Sequence, residues 1–536
     1  MGPVTSPYRS LALAALFAAG LSAADYATEG KLWWAHIEFL ADDKLDGRNT
    51  GSPGFLKAVQ YVESQFEKLG LKPAGTSGYL QPISFESRTI SESAIELQRD
   101  GKTEPVAPDE ASLSSRADVA PLVEAPMVFV GYGMSIPDAH YDDLAGLDLH
   151  GKIAVYVNAA GPVEANGNVK SHFSSTAERW ATLKRAGAIG SATIPNPRPD
   201  AQQQPAGAGR GGRGAFSPPP TVVLTERALQ DSVGQQVALT ITRSGTDKFF
   251  AGSGHTYAEI AELAKANKPL PRFPLAGTLR AKATLTREPL QAPNVVALLP
   301  GSAPKLKDEY VIMSAHLDHI GIGRPVNGDN IYNGAMDDAS GIASVLEVAR
   351  VMRESGARPK RSVIFLAVTA EEKGELGSRY FAAHPTVPLK NIVADINLDM
   401  FLPLYPLKVI EVQGLTESTL GDQVRAAAKG LGVDVQTDRE PEQNRFVRSD
   451  QYSFIRDGIP SLAFKFGYEF GSPAEKIRKD WVRDRYHKPS DDLNQPVDTA
   501  AAAHFNRIIA GLLERVADDP SRPHWNGDSF FKRFAK

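Results

Sequence analysis

Residues 310–319 read YVIMSAHLDH and residues 362–372 read SVIFLAVTAEE. In each, an apolar run without polar alternation stops at histidines or carboxylates. Such runs suit strands buried on both faces of a sheet, where no solvent side demands alternation. The stretches 294–299, 392–398 and 461–466 repeat the pattern, and 341–354, 376–383 and 416–431 between them read as helices. Alternating strands and helices of this kind predict an α/β fold: a mixed, mostly parallel sheet flanked by helices.

Upstream, residues 26–72 look helical, with LWWAHIEFL at 32–40 and a second amphipathic run after GSPG at 51–54. From 116 to 275 the character changes to short apolar runs broken by Gly, Pro and Asp, which predicts a β-rich module. Within it, 176–186 reads as a helix and 189–194 as a strand. The stretch QQQPAGAGRGGRGAFSPPP at 202–220 reads as a surface loop and lacks the interleaved repeats of an RNA-binding tract. No internal repeat is present.

The chain has 536 residues, with 42% apolar and 23% charged, as expected for two or three globular domains. A formal net charge of −4 gives no polyanion-binding signature, so no nucleic-acid partner is expected. Arg9, the apolar run 11–21 and the small residues Ser22-Ala23-Ala24 form a signal-peptide pattern over 1–24. Periplasmic or secreted export follows, and no later run is long enough to span a membrane. The chain contains no cysteine, so a soft-metal site must be built from His and carboxylates.

Ligands gather at the carboxyl ends of strands in such sheets. There stand His316-Leu317-Asp318-His319, Glu371-Glu372 and Asp399, while Asp337-Asp338 opens a helix and Tyr486-His487 follows the last strand. Each has an ordinary explanation alone. His-x-Asp makes a hydrogen-bonded pair, Asp337-Asp338 caps a helix, and Glu371-Glu372 starts one. Asp399 resists this treatment, because a carboxylate ending an apolar strand is costly to bury unpaired. Two His and three carboxylates are too many for one open zinc site and suit two metals that share a carboxylate.

In this order and spacing, HLD, NGAMDDASG, VTAEEKGELGS, NLDM and YHKPSDD resemble the two-zinc aminopeptidase family that also contains glutamate carboxypeptidase and the transferrin receptor. VFVGYGMSIPDAHYDDLAGLDLHGKIAVY is similar to the opening strands of the protease-associated domain inserted in that family. The resemblance implies a zinc exopeptidase fold with a signal peptide at 1–24 and the peptidase domain at 25–115 and 276–536. The insertion would occupy 116–275.

It also implies roles. His316 and Asp399 would hold one zinc, Glu372 and His487 the other, with Asp337 bridging. Glu371 would be general base toward a water between the two Zn(2+) ions. Asp318 would orient His316, Asp491 would orient His487, and Tyr486 would donate to the oxyanion.

The expected activity is a secreted aminopeptidase, a hydrolase acting on peptides. Arg445 and Arg448 keep a carboxypeptidase open. A receptor-like binding protein would have lost metal ligands, and a one-zinc cyclase would not need both His316 and Asp337. Gln451 stands where the family commonly has His, which bears on specificity. Preferred side chain and oligomeric state are not encoded legibly.

Overall fold

The computed structural model describes residues 23–197 and 220–535. The expected signal segment lies almost wholly outside the described residues, as does all but the last residue of the 202–220 stretch. Among the described residues no helix is long and apolar enough to cross a membrane.

The fold is mixed α/β. Its main sheet has nine strands, and four neighbours at its centre, Ser362–Val368, Tyr310–His316, Ile392–Asn397 and Ser461–Phe466, run parallel. Asn294–Leu299 lies antiparallel on one flank and Val409–Gln413 on the other. The central strands are buried along almost their whole length, which explains their unalternating apolar sequence. Tyr310–His316 pairs with Ser362–Val368 on one side and Ile392–Asn397 on the other, so the chain reverses its direction of travel across the sheet there. That reversal opens a crevice at the strands' carboxyl ends.

A second nine-stranded sheet takes its strands from residues 84–291, wider than the 116–275 expected for the inserted module. The extra length lies in Ser84–Arg99, Lys102–Val106, Ala111–Leu113 and the end of Phe273–Gln291; the first and last of these pair antiparallel from Ser84–Gln291 to Gln98–Thr278. The chain enters on one and leaves on the other. Their partial exposure made them illegible as strands of a buried core.

Helices Ala23–Leu40, Ser340–Glu354 and Thr499–Asp518 cover one face of the main sheet. The wholly buried Trp33 joins them: Nε1 donates to Ser340 O at 3.2 Å and Ser344 Oγ at 3.0 Å, and its ring lies 5.9 Å from that of Phe401. Trp33→Ala therefore leaves a large cavity and strips a donor from a buried hydroxyl. We expect it to cost about 3–5 kcal/mol, and Trp33→Phe clearly less. Urea unfolding followed by circular dichroism reads both, and equal costs would show that the ring does not anchor this layer.

Candidate metal centre

The crevice gathers side chains from five segments. His316 ends its strand and is buried to 1% exposure. Asp337 sits in the turn Ala335–Ala339 that leads into helix Ser340–Glu354. Glu371 and Glu372 follow strand Ser362–Val368, Asp399 follows Ile392–Asn397, and His487 follows helix Pro473–Asp484.

Asp337 stands between the two histidines. Its Oδ1 is 3.2 Å from His316 Nε2, and its Oδ2 is 3.1 Å from His487 Nε2. His487 Nε2 is also 3.3 Å from Glu372 Oε1. One donor atom each from His316, Asp337 and Asp399 lie within 4.8 Å of one another, as do one each from His319, Asp337 and Glu372. The expected ligands His316, Asp337, Glu372, Asp399 and His487 thus converge, and His319 joins them.

The donor chemistry fits a pair of divalent cations. Asp337 Oδ2, Glu372 Oε1, both nitrogens of His319 and His487 Nδ1 are buried without hydrogen-bond partners. Orphaned groups of this kind are costly unless an ion satisfies them. The local field is strongly negative. Burial opposes charging of His487, but Glu372 and Asp337 push it up to about 10. His316 is likewise raised, against its own burial, by the hydrogen bond to Asp337 and by Glu371 and Asp338. Burial and Glu372 work to raise Asp337, yet the imidazoles of His316 and His487 beside it leave it below the usual range. A site that draws protons onto two imidazoles this way also draws metal cations.

Surrounding residues aim these donors. His316 Nδ1 lies 3.0 Å from the Asp318 carbonyl, which turns Nε2 toward Asp337. The acceptor is the Asp318 main chain; its carboxylate accepts instead from Thr50 Oγ1 at 2.8 Å and Glu371 N at 3.0 Å. Asp491 likewise does not reach His487. It accepts from the amides of Met336 at 2.9 Å and Asp337 at 3.0 Å and from Gln495 Nε2 at 2.8 Å, so it holds the Asp337 turn. Ser449 Oγ donates to Asp399 Oδ2 at 2.6 Å, and Lys465 donates to the Asp399 carbonyl. Tyr486 stacks on His487 with ring centroids 3.9 Å apart. Gln451 is spent on structure, since it accepts from Asn397 Nδ2 at 2.8 Å and donates to the carbonyls of Arg445 and Phe446.

Three participants escaped the sequence reading. His319 was visible beside the HLD triplet but duplicated a residue type already assigned. Arg48 and Thr50 carry no motif at all. Arg48, wholly buried, donates to the carbonyls of Leu40, Leu317, Asn333 and Gly334, and so ties the His316 loop to the Asp337 loop.

Residues 294–513 match the sequence profile of peptidase family M28. A probable zinc metalloprotease of Pyrenophora tritici-repentis is 28% identical over 261 residues, covering 44% of this chain and 59% of that protein. A probable leucine aminopeptidase 2 of Aspergillus oryzae is 32% identical over 255 residues, covering 45% and 48%. The matches thus span about half the length of these relatives. The solved aminopeptidase from Aneurinibacillus sp. strain AM-1 aligns over 93% of this chain and 98% of its own, with a TM-score of 0.54 and 23% identity, a likeness of fold. Over residues 294–513 the chain is similar to peptidase family M28, and the rest of its length lies outside that match.

Proposed function

We propose that the chain is an exported two-zinc exopeptidase that removes the N-terminal residue of peptides. The observation that carries this reading is Asp337, which turns one oxygen toward His316 and the other toward His487. Two donor sets then stand side by side: His316 and Asp399 on one flank, Glu372 and His487 on the other, with Asp337 common to both.

When bound, the two zinc ions supply Lewis acidity that polarises the scissile carbonyl and acidifies water. Glu371 takes the proton from the attacking water and returns it to the departing amine. Burial, with Glu372, Asp450 and Asp399 nearby, pushes its carboxyl well up before any cation is bound. Asp318 holds the Glu371 main chain in place. Tyr486 donates to the developing oxyanion, because burial and the surrounding carboxylates keep its hydroxyl protonated.

Aminopeptidase is favoured over carboxypeptidase. A free α-ammonium needs acidic partners, and Glu371, Asp399 and the buried Asp450 crowd the site. A terminal carboxylate needs uncommitted arginines. Arg445 pairs with Glu440 at 2.7 Å, and the exposed Arg448 donates to the Gln443 carbonyl at 3.1 Å. The relative from Aspergillus oryzae, a probable leucine aminopeptidase, points the same way.

We assign the second sheet to an inserted protease-associated module that braces the site. Arg379, on a helix that starts just after Glu372, pairs with Asp231 of the module at 2.7 Å. Arg456, on a helix that starts just after Asp450, pairs with Glu178 at 3.1 Å. Export rests on the pattern of residues 9–24.

Three outcomes are expected. The purified protein carries about two zinc per chain and cleaves free but not N-acetylated aminoacyl-anilides; cleavage restricted to blocked peptides would transfer the assignment to carboxypeptidase. Glu371→Gln keeps its zinc while kcat falls about 10²–10⁴-fold, and near-normal turnover would remove Glu371 as the base. His487→Ala lowers zinc content, and unchanged stoichiometry would exclude His487 from the ligands.

A further inference from the structure

His319 has no place in the five-ligand set, yet the groups its ring faces are members of that set, Glu372, Asp337 and His487. Its side chain is wholly buried, and neither ring nitrogen has a hydrogen-bond partner. An imbedded imidazole in that state has given up hydration without replacement. The ring is nonetheless held in place. The His319 amide donates to the Arg48 carbonyl at 3.1 Å, and a side chain on Gly334 would meet the ring at 2.6 Å, so only glycine lets the backbone lie against it.

Held this way, His319 Nδ1 lies 2.8 Å from Glu372 Oε1 and 4.0 Å from Asp337 Oδ2. His487 Nε2 lies 3.3 Å and 3.1 Å from the same two oxygens. Donors at about 2.0–2.2 Å from one tetrahedral zinc stand roughly 3.3–3.6 Å apart, and the four observed separations bracket that range. The close His319–Glu372 approach is not aligned as a hydrogen bond.

We infer that His319 is a fourth protein donor to the zinc held by Glu372, His487 and Asp337, and that the two metals are held unequally. The subsite with His319 has four protein donors and binds the more tightly. The subsite of His316, Asp399 and Asp337 has three protein donors, keeps an open position and exchanges. This rests on the two-zinc reading above.

The test is zinc retention. Zinc-loaded wild type and the His319→Ala, His319→Gln and His319→Cys variants are dialysed against graded chelator, and zinc per chain is measured. Wild type should release one zinc early and hold about one at chelator levels that strip the first. His319→Ala and His319→Gln should lose the held zinc, with affinity down by about 100-fold or more, the upper end of what a residue acting only through a ligand costs. His319→Cys, which supplies a thiolate, should keep it. The Cys and Gln variants decide the matter if the Ala variant fails to fold. Retention by His319→Gln at the wild-type level would reduce His319 to a hydrogen-bonding support and overturn the inference. Simultaneous release of both zincs from wild type would also overturn it. Wild type that binds no zinc at all would sink the two-zinc reading itself.

Discussion

The constraint on which the rest of this structure depends is the crowding of carboxylates in a crevice that water scarcely reaches. Asp318, Asp337, Asp338 and Asp450 are all buried, and Glu371, Glu372 and Asp399 stand beside them. Burial alone disfavours their charged forms: it pushes Asp318, Asp338 and Glu371 up, and Asp450 to about 7. Asp337 and Glu372 escape because imidazoles face them. A protein with this arrangement must supply positive charge or lose the arrangement. The proposed zinc ions are one source of it. Arg48 is another, since its buried guanidinium lies within reach of the fields of Asp491, Asp318, Asp338 and Asp337.

Arg48 also shows how the fold converts that electrostatic problem into position. Its donors go to main-chain carbonyls, not to the carboxylates, so its charge offsets theirs without competing for a metal. Thr50, two residues on, fixes the Asp318 carboxylate, and Asp318 in turn fixes both His316 and Glu371. The chain of contacts runs from an N-terminal turn outside the matched segment 294–513 to the proposed base. The turn that carries Arg48 and Thr50 therefore contributes more to the crevice than core volume.

The parts legible in the sequence are those governed by local rules. Strands 294–299, 362–368 and 461–466 were read with the boundaries that the structure has, because burial on both faces removes alternation and leaves an unbroken apolar run. Ser84–Arg99 and Phe273–Gln291 were not read as a pair, since their polar and half-exposed residues answer to each other across nearly two hundred positions. The same division runs through the site. His316, Asp337, Glu372, Asp399 and His487 each end or follow a recognisable element. Arg48 matters only because two distant loops and the end of helix Ala23–Leu40 turn their carbonyls toward it, and Asp491 holds the Asp337 turn through amides that carry no side-chain signature.

The second sheet is attached to the main one at more than the paired strands that carry it. The paired strands Ser84–Arg99 and Phe273–Gln291 leave the main sheet beside Leu80–Gln81 and Asn294–Leu299, which fixes one end. At the other, Glu178, Asp231 and His172 engage Arg456, Arg379 and Tyr452 on two short helices of the peptidase domain. Those helices begin within a few residues of Glu372 and Asp450. A body tied only at its stalk could swing over the crevice; a second attachment removes that freedom. Exposed ion pairs contribute little each, about 0–1 kcal/mol. The half-buried Arg379–Asp231 pair and the buried His172–Tyr452 contact are better placed to hold, because partners removed from water lose more when they part. The second sheet is thereby tied to the helices that begin a few residues after Glu372 and Asp450, along the wall of the crevice.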